Sequence, residues 1–152
     1  MTVHRLPHRP PSAPAAAPSA PAVTPSAPAV TRSVLLVEDE VAVRRVAERA
    51  LQRAGWHVSA VDSAEAALAQ LPRPGAPGGP PTVLVSDVVL PGMDGVALVQ
   101  AVRAIWPDLP AVVVSGYADS ALLGDLAAQD VSFLTKPYGP KELVACVEQA
   151  AR

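Results

Sequence analysis

From Ser33 onward, short apolar runs alternate with stretches in which apolar residues recur every three or four positions. The runs are Val34-Leu35-Leu36-Val37, His57-Val58-Ser59-Ala60-Val61, Thr82-Val83-Leu84-Val85, Ala111-Val112-Val113-Val114 and Val131-Ser132-Phe133-Leu134. Four of them are continuous or nearly continuous, the pattern of strands covered on both faces. The run at 57–61 is more mixed and belongs nearer a sheet edge. Val43, Val46, Ala47, Ala50, Leu51 and Ala54 follow the spacing of an amphipathic helix, and Gly55 supplies its stop. Ser63 is the expected N-cap of a helix running to Leu71. Leu98, Val99, Val102 and Ile105 form a third stripe, ended by Pro107. Asp119 to Gln129 is a weaker fourth with Gly124 inside it, and Leu143, Val144, Val147, Ala150 and Ala151 form the last. Strand and helix thus alternate five times. That order predicts an α/β fold: a doubly wound parallel sheet with right-handed crossovers and helices on both faces.

The first 32 residues break this pattern. Eight of the 18 prolines fall between Pro7 and Pro28, in a stretch built mainly of Pro, Ala and Ser. Proline fixes φ and removes a backbone donor, so neither a helix nor a central strand runs through it. Residues 1–32 therefore read as a disordered, partly extended tail, and 33–152 as one folded domain. Read otherwise, the tail is a docking segment for a proline-reading domain or, from Arg5, Arg9 and Arg32 with no acid before Glu38, an organelle transit peptide. The segment PRPGAPGGPP (72–81) reads as a flexible loop without chemistry.

Charge sharpens the division. The overall net charge of −2 hides an acidic domain, because the tail holds three of the 12 basic residues and none of the 14 acids. The remainder carries nine basic and fourteen acidic residues, a net of −5, with no basic footprint for direct nucleic-acid contact. No apolar run approaches the roughly 20 residues of a membrane helix. The single Cys146 excludes an intramolecular disulfide and a Cys-rich zinc site, and points to a soluble protein of a reducing compartment, the cytoplasm. Its helical spacing from Leu143 and Val147 reads as core. Trp56 and Trp106 follow helices and are expected to cap that core.

In a parallel sheet every strand ends on the same edge, and ligands bind there. The residues just past the predicted strands are Glu38-Asp39-Glu40, Ser86-Asp87, Ser115-Gly116 and Thr135-Lys136-Pro137. Three carboxylates, a hydroxyl and a lysine thus share one rim. Clustered carboxylates repel, and at neutral pH they require raised pKa values or a cation. Oxygen ligands without nearby His or Cys favour Mg²⁺ over zinc. Mg²⁺ beside a carboxylate and a lysine is equipment for handling a phosphoryl group. Lys136 is one of only two lysines in the chain.

With these residues in place, the sequence resembles the receiver domain of two-component response regulators. The resemblance rests on VLLVEDE (34–40), VSDVVLPGMDG (85–95), VVVSGYA (112–118) and FLTKPY (133–138), in order and at the family's spacing. It implies a flavodoxin-like (βα)5 sheet of order 2-1-3-4-5, the order of the chemotaxis receiver that is a standard example of this fold. It implies that Asp87 is the phosphoacceptor, receiving a phosphoryl group from a sensor histidine kinase or a histidine phosphotransfer protein. Asp39 and Asp87 would ligate Mg²⁺ directly, with the Val89 backbone carbonyl as a third ligand and Glu38 acting through water. Lys136 and Ser115 would contact the phosphoryl oxygens. Ser115 and Phe133 would form the switch, with Phe133 packed in both arrangements and Tyr117 shielding or gating the site. The Lys136-Pro137 bond is expected to be cis. Pro91, Gly92 and Gly95 read as turn residues shaping the loop after Asp87.

The chain ends soon after the last helical stretch, so the expectation is a stand-alone receiver that acts by binding a downstream partner through the 118–147 face. Some members of the family pair through that face on phosphorylation. The SGYA segment is frequent in receivers attached to hybrid kinases, which suggests a cognate kinase of that kind. Two other readings compete. One is a phosphorylation-independent adaptor with the same fold. The other is an Asp-nucleophile phosphatase of the haloacid dehalogenase type, which needs an acid two residues past the nucleophile, where this chain has Val89.

Overall fold

The computed structural model of the chain describes residues 31–116, 119, 123–124, 126 and 129–152. The strands are β1 (Ser33–Val37), β2 (His57–Val61), β3 (Val83–Asp87), β4 (Ala111–Ser115) and β5 (Ser132–Thr135). The helices among the described residues are α1 (Val41–Arg53), α2 (Ala64–Gln70), α3 (Gly95–Ile105) and α4 (Pro140–Ala150). The expected helix at 119–129 falls largely outside the described residues. All neighbouring strands pair in parallel, in the order β2-β1-β3-β4-β5.

The two-residue period of a strand splits the core in two. Leu35, Val37, Leu84 and Val113 join Leu98, Val99 and Val102 of α3 and Ala64 and Ala67 of α2 on one face. Val34, Leu36, Val83, Val85, Val112 and Val114 meet Ala47 and Leu51 of α1 and Leu143 and Val147 of α4 on the other. β1, β3 and β4 are flanked on both sides and carry continuous apolar runs. β2 is an edge strand, and His57 and Ser59 on it are exposed.

Local chemistry sets the helix starts. The Ser63 hydroxyl accepts from the Ala66 N–H at 3.0 Å. Asp94 caps α3 by accepting from the Ala97 N–H at 2.8 Å, which begins that helix three residues before its apolar stripe. Pro140 opens α4, where a missing N–H costs nothing. The Pro/Gly connection at 72–81 is tied down at its start, because the Trp106 indole N–H donates to the Pro72 carbonyl at 2.7 Å. Arg32, placed by the sequence reading in the tail, stacks over the Trp56 ring at 4.3 Å and donates to the Ala54 carbonyl at 2.8 Å. Trp56 is buried in the core as expected, and Cys146 packs partly buried against it.

Phe133 departs from expectation. It is 39% exposed and belongs to neither core cluster. Its run at 131–134 reads as continuous apolar sequence, but β5 lies at the sheet edge, and alternation there turns Leu134 inward and Phe133 outward.

Candidate functional site

β1, β3 and β4 end on one rim, and each strand end delivers a polar group that the covered sheet cannot otherwise accommodate. Glu38 follows β1 and is 4% exposed; Asp87 ends β3 at 5%; Ser115 ends β4 and is also buried. Asp39, adjacent to Glu38, faces solvent. Carboxylate oxygens of Glu38, Asp39 and Asp87 lie within 4.8 Å of one another. Lys136, just past β5, places its ammonium 2.5 Å from Asp87 Oδ2 and 3.9 Å from Glu38 Oε1. Backbone pairing holds the lysine there: Lys136 N–H donates to the Ser115 carbonyl at 2.8 Å, and the Lys136-Pro137 peptide is cis.

The other Asp87 oxygen, Oδ1, accepts from the Val89 N–H at 3.3 Å. The Val89 side chain is half exposed and apolar. Glu38 is fixed by the Glu40 N–H, donating to Oε2 at 3.1 Å. Arg44, in α1, donates to the Glu38 and Asp39 carbonyls at 2.8 and 3.4 Å and so clamps the backbone of the acidic pair. The Gly116 N–H donates to Asp119 Oδ2 at 2.7 Å, closing the turn after β4. Tyr117 lies outside the described residues.

Burial pushes the Glu38 carboxyl up to about 7; the Glu40 N–H and Lys136 pull it down, and the charge of Asp87 and a bond with Asp39 add to the rise. Burial lowers the Lys136 pKa, but the hydrogen bond and charge of Asp87, with the charge of Glu38, outweigh it and leave the ammonium above its ordinary value. Burial, then the charge of Glu38, raises the Tyr138 phenol beside them.

A pH effect on stability follows. An acid with a raised pKa keeps its proton in the folded state after the unfolded chain has lost it. Stability therefore falls as pH rises from about 4.5 to about 7 and levels off above that. The loss expected in metal-free buffer is on the order of 2 kcal/mol. Urea midpoints at pH 5 and pH 7.5 should differ for the wild type and much less for Glu38→Gln. Equal differences in the two proteins would remove Glu38 as the cause.

Three carboxylates against one ammonium leave this rim anionic, and the donors are all oxygen. A hard divalent cation fits such a set. Sequence reasoning missed four contributors. Arg44 had a signal, because a cation in the opening turns of a helix opposes the helix dipole. Gly95 was read as a turn residue; it is instead the first residue of α3, pressed against the backbone of Asp87. Glu65 and Tyr138 act across elements and had no local signal.

A doubly wound sheet of this order, with an acidic triad and a lysine on its carboxyl rim, defines the class. The chain belongs to the response regulator receiver domain family, whose family model matches residues 34–148. Among curated relatives it is 38% identical over 142 residues to the sensor kinase CckA of Brucella abortus, covering 93% of this chain but 15% of that protein. It is 35% identical over 117 residues to the response regulator receiver protein CpdR of the same organism, covering 76% of this chain and 93% of CpdR. The crystal structure of a response regulator receiver protein from Sinorhizobium medicae superposes with a TM-score of 0.70 at 28% identity, over 80% of this chain and 95% of that one. The chain is thus a receiver of two-component systems. No helix among the described residues is long and apolar enough to cross a membrane.

Proposed function

We propose that the folded unit, residues 31–152, forms a signalling module switched by phosphorylation of Asp87. The observation that carries this reading is a carboxylate at a strand end, 5% exposed, with an ammonium on one oxygen and two further carboxylates beside it. Glu38, Asp39, Asp87 and the Val89 carbonyl would hold Mg²⁺, with Glu38 acting through water. When bound, that ion offsets the negative rim so that an anionic phosphoryl group can approach.

An Asp87 oxygen attacks the phosphorus of a phosphohistidine on a sensor histidine kinase or a phosphotransfer protein. The new P–O bond forms as the P–N bond breaks, and its electron pair leaves with the imidazole. Lys136 then pairs with a phosphoryl oxygen as a point charge, and the Ser115 hydroxyl donates to another. Drawing Ser115 towards the phosphoryl group opens space beside β5, into which the exposed Phe133 ring turns. The changed surface, β5 and α4 within the 118–147 face, is where a downstream protein binds. The position two past Asp87 is valine and supplies no general acid, which weighs against an Asp-nucleophile phosphatase of the haloacid dehalogenase type.

The test is incubation of the full chain with acetyl phosphate. With Mg²⁺ the expected product is one hydroxylamine-labile phosphoryl group per chain; with chelator there is none. A chain that remains unlabelled in Mg²⁺ defeats the proposal.

A further inference from the structure

The segment between Asp87 and α3 runs from Val88 to Asp94. Its ends are fixed by backbone bonds: Val88 N–H donates to the Val114 carbonyl at 2.9 Å, and Gly95 N–H to the Val88 carbonyl at 2.9 Å. Its middle is reached from a different element. Glu65, in the first turn of α2, accepts from the Met93 N–H through Oε2 at 3.1 Å, across 28 residues of sequence. The neighbouring Gly92 has φ +75, and a Cβ built on it would come 2.8 Å from the same Oε2. Glycine suits that conformation, which other residues rarely adopt, and a Cβ there would have to push the end of the Glu65 side chain aside. The Ser63 cap fixes the turn of α2 from which Glu65 projects. Donation from Met93 N–H also holds the Glu65 carboxyl below its ordinary value.

Glu65 is exposed and lies outside the acidic triad. An acid in the first turn of a helix is ordinarily accounted for by the helix dipole alone. That account leaves the bond to Met93 and the shape of the Gly92 turn without a cause. We infer that Glu65 is a positioning residue that latches the loop after Asp87 onto α2, so that the Val89 carbonyl is preorganised as a metal ligand. The inference rests on the reading of the site given above. Without the latch the loop is ordered at the expense of binding, and affinity for the ion falls while the fold is untouched.

The experiment is calorimetric titration of the full chain with Mg²⁺ alone, in 0.15 M KCl to screen the charge of Glu65, with melting temperatures in parallel. Glu65→Ala should weaken Mg²⁺ binding roughly threefold to tenfold, with a melting temperature within about 3 °C of wild type. Glu65→Gln keeps an oxygen for Met93 N–H and should bind within about twofold of wild type. Unchanged affinity in Glu65→Ala overturns the latch, as does Glu65→Gln binding as weakly as Glu65→Ala, which would assign the effect to charge. Weakened binding with a collapsed melting temperature also overturns it, by making Glu65 a structural residue. A wild type that takes up no Mg²⁺ overturns the proposed function and the latch together.

Discussion

Asp87→Asn should reduce labelling by acetyl phosphate to background while leaving the fold intact. Asparagine has nearly the same volume and suits a 5%-exposed position packed at the end of β3. The single amide oxygen can still accept from Lys136, and the amide NH2 then replaces the oxygen that accepts the longer bond from the Val89 N–H. What is lost is the anionic nucleophile, and a neutral amide does not replace it in forming an acyl phosphate. The substitution also removes a negative charge that raises the Glu38 pKa, so Glu38 should ionise at lower pH in the variant. Two measurements check this: phosphoryl incorporation with Mg²⁺, and the circular dichroism spectrum. Labelling at the wild-type level would exclude Asp87 as the acceptor.

Gly95→Ala should destabilise the protein, against the usual direction for a glycine in a helix. On helix propensity alone, alanine gains up to about 1 kcal/mol. Here, however, the new Cβ would overlap the Asp87 carbonyl oxygen and lie 2.9 Å from Val88 Cα. Both are backbone atoms, and they belong to the segment whose pairing fixes β3 against β4. No flexible side chain is present to yield, so relief requires moving the strand end or tilting α3. Overpacking of this kind costs about 1–3 kcal/mol, which exceeds the propensity gain. A net loss of about 1–2 kcal/mol is therefore expected in urea denaturation, together with slower labelling, because the displaced backbone carries the acceptor. A more stable variant would show that α3 shifts freely at its first residue.

The two predictions divide along a line that runs through the whole molecule. Asp87 was identifiable in the sequence because its position follows from connectivity. A run such as Thr82-Val83-Leu84-Val85 announces a strand covered on both faces, and the intervening helical stripes force parallel pairing. Every polar residue just past such a run then lies on one rim. The same logic brings Glu38, Asp39, Ser115 and Lys136 to that rim. Caps with a local partner, such as Ser63, were legible for the same reason.

Gly95, Glu65 and Phe133 were not legible. In each case the deciding contact joins residues that no local period links. Gly95 looked like a turn residue until α3 was seen against the Asp87 backbone. Nothing in the sequence near Glu65 points to Met93, 28 residues away, whose N–H its carboxylate accepts. Phe133 sat in an apolar run, and the edge position of β5 turned it outward. Glu38 and Asp39 are neighbours of the same charge, yet one is buried and the other exposed, because the chain changes direction between β1 and α1.

The sequence by itself determined the class of fold, the division of the core between two sheet faces and the membership of the acidic rim. These depend on hydrophobic period and chain connectivity, which are properties of the order of residues. Only the tertiary structure decided which carboxylate is desolvated, which glycine packs against backbone and which distant side chain bonds the loop beside Asp87. Those depend on distances between elements, and such distances arise only when the helices settle onto the sheet.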